Sequence, residues 1–240
     1  MQKKSKKRMS WTTVVILFLL LAGIGYLLSQ REKETVDVPA YNGQAYIEIN
    51  EGKPEFSERE ISSRSFESYS PLDYLSRCGP AFACLGQELM PTEGRGSIGG
   101  IKPSGWRQAK YPGIIPEDPP YLYNRCHLIA YQLAGENANE RNLITGTRYM
   151  NVSGMQPWEN KVAGYIRRTG NHVIYRVTPL FVGNELVCRG VYMEAWSVED
   201  RGEGICFHIF VYNVQPGIEI DYRTGRSALG DSESYNYEGG

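Results

Sequence analysis

Hydrophobic and polar positions divide the chain into three regimes. Residues 11–28 form an unbroken apolar run without a single charge, about 18 residues and just enough to span a bilayer. From residue 29 to about 70, charges, Ser and Pro dominate, as in Glu55-Phe56-Ser57-Glu58-Arg59-Glu60, and only residues 45–49 read as a short strand. Residues 71–89 are denser in apolar side chains and read as helical around Tyr74 and around Leu85. Two stretches rich in Gly and Pro, 91–105 and 111–123, read as loops, the first enclosing at most one strand.

Beyond Asn151 the pattern becomes regular. Pro157 suits the first turn of a helix over 158–168, with Val162, Tyr165 and Ile166 at helical spacing and Thr169-Gly170-Asn171 as its stop. Three strands follow, 172–181, 186–195 and 205–214, the first two joined by a turn at Gly183-Asn184. Residues 231–240 read as a polar, disordered tail. The expected organisation is therefore a cytoplasmic basic segment (1–10), a transmembrane anchor (11–28), a stalk (29–70), a globular domain (71–230) and the tail.

Composition changes this picture in one respect. With 240 residues, 41% hydrophobic and 22% charged, the chain has the makeup of an ordinary globular protein. Lys3, Lys4, Lys6, Lys7 and Arg8 precede the apolar run, which argues for an N-terminus held inside and everything from Gln30 onward outside the cytoplasm. A cleaved signal peptide competes, because Ala22-Gly23-Ile24-Gly25 contains small residues. The anchor is favoured by the length of the run and by the lack of an A-x-A-like site after it. Setting residues 1–28 aside leaves 21 basic against 27 acidic residues, a net of −6. A polyanion would then be met by a local basic cleft and a metal, not by the field of the whole domain. Five cysteines leave at least one unpaired in an oxidising compartment, and their spacing is not that of a zinc site. Cys78 and Cys84 are the nearest pair, while Cys188 and Cys206 either face each other or pack as small hydrophobes.

Candidate chemistry concentrates around one histidine. His172 and His208 sit in strand-like segments, where a structural imidazole is the simpler role. His127 instead ends Asn124-Arg125-Cys126-His127, just after the proline-rich loop, with Asn142, Asn151 and Glu159 downstream. Imidazole is a base near neutrality, and Asn and Glu oxygens suit a hard ion such as Mg²⁺ that keeps most of its waters. That inventory fits metal-assisted hydrolysis of a phosphodiester. Singly, each residue has a plainer reading: Asn142 in a turn, Asn151 as a helix cap, Glu159 in a helix's first turn.

Together they resemble the DNA/RNA non-specific endonucleases of the ββα-metal fold. That family carries an Asp-Arg-Gly-His motif and a downstream Asn, then a metal-binding Asn nine residues on and a Glu eight beyond it. The last two spacings recur here in Asn142, Asn151 and Glu159. The likeness is greatest to membrane-anchored DNA-uptake nucleases and secreted nucleases of Gram-positive bacteria. It extends through Lys102-Pro103-Ser104-Gly105-Trp106, residues 127–133 and 142–148, and Tyr212-Asn213-Val214-Gln215-Pro216-Gly217.

The resemblance implies an α+β fold with a central antiparallel sheet, preceded here by one transmembrane helix. It implies His127 as general base, Asn151 as the direct ligand of Mg²⁺ or another divalent cation such as Mn²⁺, Glu159 orienting that ion's waters and Asn142 positioning the His127 region. Arg125 would contact phosphate or brace its loop. The family pattern is broken at Asn124 and Cys126, and at Ala163, where several members have an arginine. Arg95, Arg148, Arg167 and Arg168 are the candidates to replace that arginine at the substrate, with Arg95 preferred because it precedes a strand expected on the His127 side. The expected function is a sequence-independent endonuclease acting outside the membrane on DNA, and on RNA as a further substrate, with the bilayer as partner through residues 11–28. The alternatives are a non-catalytic surface receptor that binds DNA for uptake and a toxin nuclease that needs an immunity partner.

Overall fold

In strand Val173–Leu180, every second side chain (Val173, Tyr175, Val177) points to one face and is buried there, while Arg176 and Thr178 face the other way. The same alternation repeats in the strands beside it, and it builds the main sheet. In chain order the strands are β1 (Tyr46–Glu48), β2 (Phe66–Tyr69), β3 (Ala81–Leu85), β4 (Tyr123–His127), β5 (Leu143–Thr147), β6 (Val173–Leu180), β7 (Gly190–Ser197), β8 (Cys206–Tyr212), β9 (Ile218–Asp221) and β10 (Arg226–Leu229). The helices are a single turn, α1 (Tyr131–Ala134), and α2 (Gln156–Thr169), the latter entered through π-helical winding at Met150–Met155. This computed structural model describes residues 37–230 together with Trp11. The chain divides into two units, Met1–Asp37 and Val38–Gly240, and all of these strands and helices lie in the second. The expected basic segment, anchor (Trp11 apart) and tail lie outside the described residues. Among the described residues no helix is long and apolar enough to cross a membrane.

The main sheet is antiparallel throughout, in the order β1-β8-β7-β6-β3-β2. One face carries Ala81, Ala83, Leu85, Tyr175, Val191, Met193, Phe207 and Ile209 into a core completed by Val162, Ala163, Tyr165 and Ile166 of α2. Burying an aliphatic side chain of this size contributes about 1.5–3 kcal/mol, so α2 is held mainly by this face. Its end is fixed by Gly170 at φ 74°, whose N–H donates to the Ile166 carbonyl. The pairs β4–β5 and β9–β10 stand apart as two-stranded sheets.

Three expectations are corrected. The segment around Leu85 is a strand, not a helix: Ala81–Cys84 pairs with β2 on one side, and Ala81–Leu85 with β6 on the other. Around Tyr74 the chain is a turn, in which the Asp73 carboxylate accepts from the backbone N–H groups of Leu75 and Arg77. The stretch expected as a stalk supplies both edge strands of the sheet, β1 and β2, and covers its second face. There the Arg176 guanidinium donates to Glu194 at 2.7 Å, to Glu60 at 2.9 Å and to the Glu55 carbonyl at 3.0 Å, above the Phe56 ring. Charge-rich sequence is ordered here through ionic contacts, which hydrophobic periodicity does not register. The five cysteines are all unpaired thiols, four of them buried and Cys206 exposed.

The corner between α2 and β6 is tied by His172. Its Nδ1 lies 2.6 Å from Glu199 and its Nε2 3.3 Å from Glu88. Burial alone would lower its pKa, but the bonds to Glu199 and Glu88 outweigh it and hold the imidazole above its ordinary value. A raised folded-state pKa contributes stability that is complete below about 6.5 and lost as pH rises through the folded value. His172→Gln should therefore lower Tm more at pH 5.5 than at pH 8.5; thermal melts giving the same deficit at both would refute the ionic tie.

Candidate active site

Strands β4 and β5 pair antiparallel, with Tyr123 opposite Thr147 and His127 opposite Leu143, and the chain passes from β5 through the π-helical winding into α2. This β-β-α unit is pinned to the main sheet by the buried Asn213. Its amide donates to the carbonyls of Thr145 and Cys188, and its oxygen accepts from Thr147 N–H. Gln215 accepts from Tyr149 N–H where the winding begins. Gly154 lets that winding approach β8, because a side chain there would collide with Val211.

His127 ends β4 and is buried. Its Nε2 is 2.8 Å from the Asn137 carbonyl, an obligate acceptor, so Nε2 carries the proton. Its Nδ1 then presents a lone pair, 3.2 Å from the Arg95 guanidinium. Burial depresses the imidazole pKa, the Asn137 bond works against this, and the Arg95 cation adds to the depression. The ring is thus a neutral base at pH 7 with its basic nitrogen selected. Asn142 lies beneath, completely buried, and its carboxamide bonds both backbone groups of Ile129, accepting from N–H at 2.8 Å and donating to the carbonyl at 3.0 Å. It fixes the chain that leaves His127 and does not reach the cleft.

Asn151, in the π-helical winding, and Glu159, in the first turn of α2, line the same lobe of the cleft as His127. No hydrogen bond engages the Asn151 carboxamide among the described residues. Glu159 is almost wholly buried, and burial pushes its carboxyl up to about 8, with Arg95 pulling it back. Both side chains offer hard oxygen donors to the cleft. Among the described residues no group of three or more His, Cys, Asp or Glu side chains could hold a metal. The donor set therefore fits a cation that keeps most of its own waters, and does not fit a full cage of protein ligands.

A second, larger lobe adjoins the first, sharing Arg95, Arg125 and Asn151 as walls and adding Trp106, Tyr121, Tyr123 and Arg148. Arg95 comes from a loop, not from ahead of a strand as expected. Arg125 donates to the carbonyls of Ile101 and Gly99 and lies 4.2 Å from the Trp106 ring centroid, so it braces its loop. Arg148 pairs with Glu117 at 2.8 Å. Arg167 is exposed in the last turn of α2 and lines neither lobe, eight residues or about 12 Å along the helix from Glu159. Ala163 is fully buried in the core, where an arginine head could not be solvated. Cys126 is also fully buried, and Gly146 in the neighbouring strand makes room for its sulfur. Burial raises the Cys126 thiol well above its ordinary value, so it packs as a small hydrophobe. Asn124 lines the larger lobe.

Sequence reasoning missed Asn137 because it acts through its backbone carbonyl, which no residue type signals. It also missed Tyr121, Tyr123 and Gln108, which carry no motif.

The model of the DNA/RNA non-specific endonuclease family matches residues 58–199. The chain belongs to this family of ββα-metal nucleases. The magnesium-bound crystal structure of NucA from Streptococcus agalactiae superposes on the nuclease with a TM-score of 0.70 at 24% identity, covering 84% of this chain and 95% of that one. The Sda1 nuclease with a bound zinc ion gives 0.65 at 26% identity, covering 80% and 98%. An extracellular endonuclease aligns at 0.54 and 19%, covering 78% and 98%.

Glu159 gives the nuclease a pH signature. A carboxyl raised from 4.5 to about 8 contributes stability that is complete below about 4.5 and lost as pH climbs to about 8, because the ionised form is disfavoured where it is buried. In chelator, Glu159→Gln should melt higher than wild type at pH 8.5, with the gap closing toward pH 5. A gap independent of pH would mean the carboxyl is not the cause.

Proposed function

We propose that this nuclease is a metal-dependent, sequence-independent endonuclease that hydrolyses phosphodiester bonds of DNA, and of RNA, with His127 as general base and one divalent ion at Asn151. The observation that carries the reading is the histidine's fixed tautomer: Nε2–H is held by Asn137, which leaves Nδ1 as a lone pair in the cleft. Nδ1 would take a proton from a water whose oxygen attacks phosphorus, and the bond from phosphorus to the 3′-oxygen would break, leaving a 5′-phosphate. Arg95, already at the base, would turn its guanidinium to the phosphate oxygens. Asn151 would hold the ion, Mg²⁺ or Mn²⁺, and Glu159 would orient its waters. When bound, the cation supplies charge neutralisation at the phosphate and at the departing oxygen. Magnesium in NucA and zinc in Sda1 support a divalent ion at this fold. Asn142 would act by positioning and Arg125 by bracing, while Arg148 would meet the substrate backbone. Residues 11–28 would anchor the enzyme in the lipid bilayer, with the catalytic domain outside the cell.

A non-catalytic DNA receptor would accommodate the net negative charge, but capture needs no buried imidazole with an assigned tautomer. His127→Ala should reduce plasmid nicking by about 10²–10⁴-fold while leaving the melting curve cooperative. Chelator should abolish wild-type nicking, and Mg²⁺ should restore it. Wild-type cutting by His127→Ala, or a gel shift without any cutting by the native chain, would overturn the assignment.

The active base is unprotonated, so kcat/KM should rise with pH through a limb below the ordinary imidazole value near 6.5 and then level off. Arg95→Ala removes a cation and admits water, both of which raise the imidazole pKa. The limb should therefore move to higher pH, and a pH–rate profile with an unmoved limb would contradict the Arg95–His127 coupling.

A further inference from the structure

Apart from the walls it shares with the reaction lobe and from Arg148, the larger lobe has no role in the hydrolytic step, yet it opens directly beside it. It is a recess of about 560 Å³, within the ~300–1,000 Å³ range of sites that take a small molecule or a single nucleotide. Arg95, Arg125 and Asn151 line both it and the reaction lobe, so an occupant would lie next to the scissile phosphate.

Its distinctive walls are aromatic. Tyr121 is 40% exposed. The Lys110 ammonium lies 5.0 Å from the Tyr121 ring centroid, and the Arg125 guanidinium 4.2 Å from that of Trp106. Each ring is thus paired with a cation, which helps to hold it in place and brings positive charge to the recess.

Three of the polar side chains lining the recess, Gln108, Arg125 and Arg148, are spent on the protein itself. Gln108 donates to the Tyr123 carbonyl at 2.6 Å and accepts from its N–H at 2.9 Å. Arg125 is bound to two carbonyls and Arg148 to Glu117. An occupant would meet ring faces and charge, beside the carboxamides of Asn124 and Asn151. Rings with cations are how proteins hold single-stranded nucleic acid without sequence preference.

We infer that this recess receives one unpaired nucleobase of the strand being cut, stacked against Tyr121 and Trp106 next to the scissile phosphate. The inference rests on the nuclease reading and names its preferred substrate: single-stranded or locally opened nucleic acid, since a base inside a duplex cannot reach the rings without unstacking.

The test separates binding from cutting. A single-stranded oligonucleotide carrying 2-aminopurine is titrated onto the full chain bearing His127→Ala, in Mg²⁺. Stacking should quench its fluorescence; adding Tyr121→Ala should remove the quench and weaken binding by about tenfold to a hundredfold, and Tyr121→Trp should retain both. A quench unchanged by Tyr121→Ala, or no quench with Tyr121 intact, overturns the inference. With His127 present, Tyr121→Ala should lower kcat/KM on the oligonucleotide more than on bis(4-nitrophenyl) phosphate, and equal losses also overturn it. If the His127 chain cuts neither substrate while the Tyr121-dependent quench persists, the nuclease reading fails and the recess stands as a nucleobase site.

Discussion

An imidazole offers a base at only one nitrogen at a time, and the partner of the other nitrogen decides which. At His127 that partner is the Asn137 carbonyl, 2.8 Å from Nε2, and the usefulness of the cleft depends on it. A carbonyl can only accept, so the proton is fixed and Nδ1 faces Arg95. The chain between His127 and Asn137 must therefore hold its path. Asn142 secures that path by binding both backbone groups of Ile129 from a fully buried position. Removing its amide would leave a buried N–H and a buried carbonyl unpaired, at a cost of about 1–3 kcal/mol each.

The opposite wall is set by different physics. Asn151 and Glu159 stand where π-helical winding passes into α2, and α2 is fixed by its apolar face on the main sheet. Packing thus brings a carboxyl into a site that raises its pKa to about 8. A domain selected for stability alone would put an amide or an apolar residue there. Retaining an acid that resists ionisation while buried suits a residue whose charge a bound cation would stabilise. The desolvated carboxyl and the Asn151 amide beside it are two parts of one arrangement.

What could be read in the sequence was what periodicity or residue chemistry encodes. Val162, Tyr165 and Ile166 announced α2, Gly170 its end, and the alternation after residue 172 the strands of the sheet. His127, Asn151 and Glu159 were legible as a set, and they do line one lobe. Other features left no such trace. Strand β3 has only five residues, too few for periodicity to separate strand from helix. The segment carrying Glu55 and Glu60 looked unstructured because its anchors are contacts with Arg176, more than a hundred residues away. Arg167 was a reasonable candidate by composition, but helix geometry places it two turns beyond Glu159. The Asn137 carbonyl belongs to a backbone whose position only the folded chain defines.

A cleft that cuts without regard to sequence must bind backbone and avoid reading bases. The cationic side chains here meet both demands by being half-committed. Arg125 and Arg148 are tied to a loop and to Glu117, so their positions are fixed while their charge still faces the cleft. Gln108, one of three neutral amides lining the recess with Asn124 and Asn151, is used up by Tyr123. Local positive charge concentrated in this way also reconciles a polyanionic substrate with a domain whose overall charge is negative. At about 8–10 Å of screening length, a phosphate inside the cleft responds to Arg95, Arg125 and Arg148 and only weakly to acids on the far surface. The acidic remainder slows diffusion of nucleic acid toward the domain but does not oppose its seating once there.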